Sequence, residues 1–276
     1  MRRICGHTGE NWTAQTLRRI CGHTGEIGTA QTGHTGENGT AWNEYTGEIG
    51  ARDGQEAGMK RNPEELWDGR YYSANDMVRA DCAGCEGCSH CCHGMGESLE
   101  LDPYDFLRLA RGLRKKPEEL LTFAADLHVD DGLIVPFMKM SGDSEACTFL
   151  GPDGRCTIHE FRPDICRLFP LGRVYDETGI RYILQSRECI CENRREIPVR
   201  DWVAEPEGER YEQYRLAYHD FRNAVKRRIR TAPSADTVKI CNMMILTELY
   251  MKPAETDRLT DELERRMEEL RERILI

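Results

Sequence analysis

The run DCAGCEGCSHCCHGMG sets Cys82, Cys85, Cys88 and Cys91 at C-x2-C spacing and places Cys92 directly beside Cys91. Two residues between thiolates let a tight turn aim both sulfurs at one ion, so this spacing belongs to zinc and iron–sulfur chemistry. A second group, ACTFLGPDGRCTIHEFRPDICRLFP, contributes Cys147, Cys156 and Cys166, and SRECICENRR contributes Cys189 and Cys191. Of thirteen cysteines, ten lie between Cys82 and Cys191. A tetrahedral zinc or a cubane cluster takes about four cysteines, and adjacent residues do not usually point at one ion. Ten thiols, with Cys91 and Cys92 side by side, therefore fit two metal sites or one multinuclear site better than a single zinc. Cys82, Cys85, Cys88 and Cys92 also match the ferredoxin spacing C-x2-C-x2-C-x3-C, with His93 where that motif has proline.

Composition narrows the setting for these thiols. Lys and Arg number 38 against 48 Asp and Glu, a formal charge of -10, which excludes a nucleic-acid binder acting through bulk positive charge. No apolar run approaches the roughly 18 residues of a membrane span. The opening MRRICGHTGE has basic residues without an apolar stretch behind them, so it does not read as a secretory signal. A reducing cytoplasm is then expected, where clustered thiols favour metal binding or redox chemistry over a disulfide framework.

Turns and short elements must position the cysteines. GPDG at 151–154 is a turn between CTFL and RCTI; with Pro152 and Asp153 at its centre, Phe149 faces Cys156 and Cys147 lies diagonally on the same face. Pro163 fits the first turn of a short helix that Pro170 ends, which puts Cys166 near a helix N-terminus where thiolate is favoured. Arg155, Arg162, Arg167 and Arg173 stand among these cysteines, a solvated basic face or an offset for surplus thiolate charge. RVYDETGIRYILQ reads as a hairpin leading to Cys189 and Cys191, whose alternation allows both to face one side. His90, His93 and His159 flank the clusters as secondary ligand candidates, and Cys241, in an apolar helical run, reads as packing.

Around this core, LDPYDFLRLARGL and KPEELLTFAADL read as two helices, with Asp102 as N-cap, Pro103 at N1 and Gly112 as a stop. Glu97, Glu100 and Asp102 are explained by that helix start. ERYEQYRLAYHDFRNAVKRRIR reads as a long polar helix whose basic end is solvated. Leu259, Leu263, Met267, Leu270 and Ile274 form a helical stripe expected to pack on its own domain, with a homodimer through this helix as the alternative.

Residues 1–58 differ in kind. RRICGHTGE occurs at 2–10 and 18–26, GHTGE returns at 33–37, and twelve of the twenty-five glycines lie here. Their repeats are too poor in apolar residues to stack, so disorder is expected, with Met59 as the start of the ordinary chain. HTGE is similar to the linker between tandem C2H2 zinc fingers, but a finger needs a Cys pair and then a His pair, and here Cys5 and Cys21 stand alone. The domain organisation expected is 1–58 disordered, 59–205 a cysteine-cluster metal-binding domain and 206–276 a helical extension. Its fold class is α+β, a small metal-centred domain with short hairpins and helices.

At CEGCSHCC, CTFL, GRCTIH and RPDICRLFP the sequence resembles the YkgJ-type cysteine-cluster family, the zinc- or iron-chelating proteins named for CxxCxxCC. Cys85, Cys88, Cys91, Cys92, Cys147, Cys156 and Cys166 match its motifs by position, Cys189 looks like its later cysteine, and LDPYDFLRL looks like its first helix. The resemblance implies a metal-binding protein using zinc, iron or an iron–sulfur cluster; with Cys82 added, these cysteines are the expected ligands. The family is also similar to the cysteine domain of flagellin lysine N-methylases. No dinucleotide-type glycine loop and no C-x3-C-x2-C motif of radical enzymes accompanies that likeness here. Three functions compete: a chelating protein of open activity, an iron–sulfur protein in redox or methylation-type chemistry, and a zinc-stapled interaction module.

Overall fold

The computed structural model describes residues 67–275 apart from 83–87, 97, 143–144, 187, 192 and 205. The repeats of 1–58, with Cys5 and Cys21, and also Met59, Cys85 and Glu97, lie outside the described residues.

Asp102 starts the first helix as its residue type dictates. Its side chain accepts a hydrogen bond from the Asp105 N–H at 2.7 Å, and Pro103 opens α1, Pro103–Leu113. Gly112 does not stop this helix. The turn ends at Arg114, which takes the left-handed conformation, φ 54°. Glycine is needed at 112 for a close approach instead: a Cβ there would stand 2.4 Å from the Phe161 ring. The second helix, α2, Pro117–Phe123, is shorter than expected. Ala125 already belongs to β2, Ala125–Asp130, which pairs antiparallel with β3, Leu133–Met138, so strand pairing overrides the local helical preference of that segment.

The remaining strands are also ribbons of two. β1, Met77–Asp81, pairs with β8, Arg195–Pro198; β4, Met140–Ser141, pairs with β5, Ala146–Cys147; and β6, Leu171–Asp176, pairs with β7, Gly179–Leu184, as the hairpin pattern predicts. The five-residue helix α3, Asp164–Leu168, precedes β6. Tyr72, Val78, Ala80, Leu168, Leu171, Tyr182, Leu184 and Val199 form one core, between the β1–β8 and β6–β7 ribbons, α3 and the short helix α4, Val199–Val203.

The C-terminal helices are α5, Glu209–Arg230; α6, Ala235–Ile245; a π-helical turn, Leu246–Met251; and α7, Leu259–Ile274. Polar overall, α5 nevertheless buries Tyr211, Tyr214, Tyr218, Phe221, Val225 and Ile229. The stripe Leu259, Leu263, Met267, Leu270 and Ile274 is buried inside the chain, where α7 packs on α5 and α1. Each such side chain contributes about 1.5–3 kcal/mol. Cys241 is buried in α6 as a packing residue. The basic end of α5 is engaged by carboxylates, Lys226 by Asp130 at 2.8 Å and Arg230 by Asp131. These helices and ribbons make the structure α+β. No helix among the described residues is long and apolar enough to cross a membrane.

Candidate metal centre

Single bridges and turns, not regular sheets, bring the first group of cysteines together. Ser89–Cys92 closes into a turn in which the Cys92 N–H donates to Ser89 O at 2.8 Å. His93 then bridges Ala146, and Gly94 N–H donates to Glu145 O at 3.1 Å, which sets Cys91 and Cys92 beside Cys147. The GPDG turn joins Cys147 to Cys156 in a register one residue from that expected: Leu150, not Phe149, bridges Cys156, and Phe149 O accepts from Thr157 N–H at 2.9 Å. Residues 148–149 turn rather than extend, so Cys147 still reaches the side occupied by Cys156.

The thiols of the group act on one another electrostatically. Cys91 and Cys92 share a hydrogen bond, which lowers the Cys91 thiol to about 7, with further help from the Arg162 guanidinium. Its partner Cys92, donating that bond and partly desolvated, is pushed up, and the sulfurs of Cys91, Cys147 and Cys166 add to the effect. Desolvation raises Cys147 and Cys156 as well. Cys166 is raised furthest beyond the ordinary thiol range after Cys92, by burial first and then by Cys147, Cys91 and Cys156. Helix α3 therefore does not favour thiolate at Cys166; five residues supply too little dipole to outweigh desolvation.

Of the four arginines, Arg162 acts on this group, reaching Cys91, Cys156 and Cys166 electrostatically. Arg155 is exposed. Arg167 and Arg173 turn inward and bind Asp164, Arg173 being fully buried. His159 is exposed with its Nε2 2.8 Å from Arg162, and desolvation plus two guanidinium neighbours lower its pKa, as suits a neutral ring.

A buried ionic network, which sequence reasoning missed, sets the position of the helix carrying Cys166. The Asp164 N–H donates to Asp105 Oδ2 at 2.8 Å, joining α3 to α1. Arg108 of α1 donates to Glu160 O at 2.9 Å and Arg162 O at 3.0 Å, and Arg167 donates to Arg162 O at 3.0 Å. Burial opposes ionisation of Asp164, but Arg173 and Arg215 hold its carboxyl below the usual range. Asp105, buried beside Asp102 and Asp164, is held well above that range. Arg215 pairs with the N-cap Asp102 at 2.6 Å and with the Tyr175 hydroxyl at 2.7 Å, while Arg222 pairs with Glu100 at 2.8 Å. The available signal was arginine at positions 215 and 222 on the apolar face of α5, at helical spacing with Tyr211 and Tyr218.

The other expected ligands fall elsewhere. Cys88 is exposed. Cys82, Cys189 and Cys191 form a second group: the Cys191 thiol hydrogen-bonds with Cys82 and lies in the electrostatic reach of Cys189. Cys191, outside the expected ligand set, thus sits with two members of it. All ten described cysteines are free thiols. Among the described residues, no three His, Cys, Asp or Glu side chains stand close enough to hold an ion as they are. The donor set nevertheless fits zinc or iron, because five neighbouring sulfurs with one guanidinium offer soft ligands and a charge offset.

Residues 84–196 match the model of the CxxCxxCC family, described as a "Putative zinc- or iron-chelating domain", the family that the cysteine motifs resemble. Neither the curated proteins nor the solved structures contain a significant match to the chain.

Proposed function

We propose that the protein binds zinc or iron through Cys91, Cys92, Cys147, Cys156 and Cys166, with Cys85 and Cys88 extending the set by their motif spacing. One observation carries this reading: the His93↔Ala146 and Leu150↔Cys156 bridges bring Cys91, Cys92, Cys147 and Cys156 together, and buried Cys166 lies in the electrostatic reach of Cys91, Cys147 and Cys156. Such a gathering of desolvated thiols has no packing rationale, since aliphatic side chains would fill the space without like-charge cost. A bound cation would supply the thiolate charge balance, displacing protons to solvent. The free state of all ten described thiols suits a reducing cytoplasm. Residues 59–205 are the chelating unit in this reading, and 206–276 support it through α1.

The test is anaerobic purification of the full chain with metal and acid-labile sulfide measured per chain and the visible spectrum recorded. Stoichiometric zinc in a colourless protein, or iron without sulfide, supports simple chelation. Iron with equimolar sulfide and a brown colour replaces it with an iron–sulfur cluster, the form in which redox or methylation-type chemistry would apply. Protein that neither retains nor takes up either metal overturns the reading.

A further inference from the structure

Buried carboxyls among the described residues are each met by a guanidinium, with one exception. Glu100 binds Arg222, Asp102 binds Arg215, Asp164 binds Arg173 and Glu262 binds Arg266, whereas Asp105 hydrogen-bonds to no cation. Asp105 Oδ2 accepts the Asp164 N–H at 2.8 Å, which joins α1 to α3, while its Oδ1 is buried without a hydrogen bond. Arg167 Nη1 stands 3.9 Å from Oδ1 and donates instead to Arg162 O at 3.0 Å. Around Asp105 are Asp102 and Arg108 of the α1 side, Asp164 and Arg167 of α3, Arg173 of β6 on Asp164, and Tyr211 and Arg215 of α5. The Tyr211 hydroxyl is buried in the same cluster and likewise has no hydrogen bond among the described residues. An ionised carboxylate only accepts, so an anion at Oδ1 would draw in the guanidinium 3.9 Å away. An un-ionised acid carries a donor of its own and leaves that guanidinium on the Arg162 carbonyl. Burial, and next the Asp102 charge, hold Asp105 well above the usual carboxylate range against the pull of Arg167.

We propose that Asp105 is an un-ionised carboxylic acid in the folded protein and a proton-operated latch on the seam between α1 and α3. The latch stands apart from metal binding and goes beyond it. With the proton on Oδ1, the acid offers a donor to the Tyr211 hydroxyl, and Oδ2 keeps the Asp164 N–H. When hydroxide takes that proton, forming water, an anion is left between Asp102 and Asp164, and it attracts Arg167. Arg167 Nη1 then exchanges Arg162 O for Oδ1. The 159–162 turn, which lies between Cys156 and Cys166, keeps its bonds from Arg108 and loses the one from Arg167. The latch is closed while the acid holds its proton and opens as pH rises.

Full-length protein, kept reduced, is unfolded in denaturant at a series of pH values from about 4 to about 9 beside Asp105→Asn, whose amide copies the shape and the donor of the protonated acid. The folded acid keeps a proton that the unfolded chain has lost, so wild-type stability falls as pH rises above the ordinary value of 3.8 until the folded value is passed. Relative to the variant, the wild-type unfolding constant should therefore grow about tenfold per pH unit across that window. A ratio that stays level, or that moves in favour of wild type, overturns the proposal. Amide-exchange protection over 159–167 should fall with rising pH in wild type alone; the same fall in Asp105→Asn removes the latch. The infrared spectrum of wild type at neutral pH keeps the test independent of how the variant folds. It must contain the carbonyl band of an un-ionised carboxylic acid, and absence of that band, or its persistence in folded Asp105→Asn, is decisive against the proposal.

Discussion

The helical half and the cysteine half of the chain are held together by opposite means. In the helical half, α5 and α7 bury whole stripes of aromatic and aliphatic side chains, and even their charges are paired inside: Arg215 with Asp102, Arg222 with Glu100, Arg266 with Glu262. Arg266 also donates to Glu248 O at 2.9 Å and Lys252 O at 2.8 Å, satisfying carbonyls that the π-helical turn leaves open. The cysteine half has isolated bridges at His93↔Ala146 and Leu150↔Cys156, a two-residue ribbon, and sulfurs that remain half-exposed. One half is finished by packing. The other has its own core between the β1–β8 and β6–β7 ribbons, and its thiols are gathered by turns outside that core, where a bound metal would do what packing does elsewhere.

Removing metal is the strongest way to break this contrast. Structural zinc sites contribute on the order of 10 kcal/mol to the elements they organise. Chelation is therefore expected to release amide-exchange protection across residues 88–94 and 145–166 while Glu209–Arg230 stays protected. Equal loss in both regions would show that the helices depend on the metal as well.

Next in size is Arg215→Ala, which leaves Asp102 buried and unpaired. Denaturant unfolding should report a loss of about 3–5 kcal/mol. A loss below about 1 kcal/mol would mean that the helical half does not rest on this pair.

Gly112→Ala probes the seam between the halves. Its methyl meets the Phe161 ring, inside the Cys156–Cys166 segment. Overpacking of this kind costs about 1–3 kcal/mol, and the displaced ring should weaken metal retention too. Retention equal to wild type would show that the seam transmits nothing.

Acid acts on the paired carboxylates. Burial would raise Asp130, but Arg222 and Lys226 hold it down to about 2 from the ordinary 3.8. Asp164 is lowered as well, by Arg173 and Arg215 against its burial. A depressed carboxylate stabilises the fold fully above its unfolded pKa and loses that contribution as pH falls through the folded value. The melting temperature should thus decline from about pH 4 toward pH 2. A flat profile over that window would remove these pairs from the stability of the helical half. The smallest effect belongs to Arg210→Ala. It joins Asp261 and Glu264 at the surface and should cost no more than about 1 kcal/mol in thermal unfolding.

Local signals were legible where one segment carried the whole instruction. Asp102–Pro103 marks the start of α1, the 171–184 hairpin carries its own turn, and the bounds of α5 follow its periodicity. Where a partner lay far along the chain, legibility failed. The segment after Phe123 has helical composition but pairs with Met138 as strand, and β1 finds β8 more than a hundred residues away. Arg167 and Arg173 read as part of a solvated basic face or as an offset for thiolate charge, yet buried Asp164 binds both.

By itself, the sequence determined the residue chemistry: thiols at C-x2-C spacing and in the CTFL, GRCTIH and RPDICR motifs, soft donors whatever their arrangement. Tertiary structure alone decided the grouping. The pairing of β1 with β8 carries Cys82 away from its neighbours in the motif to Cys189 and Cys191, while the His93 and Leu150 bridges assemble the other five. Spacing limits only what nearby residues can share. Which distant sulfurs meet depends on strand register and buried ion pairs, and these are settled by partners that no local pattern names.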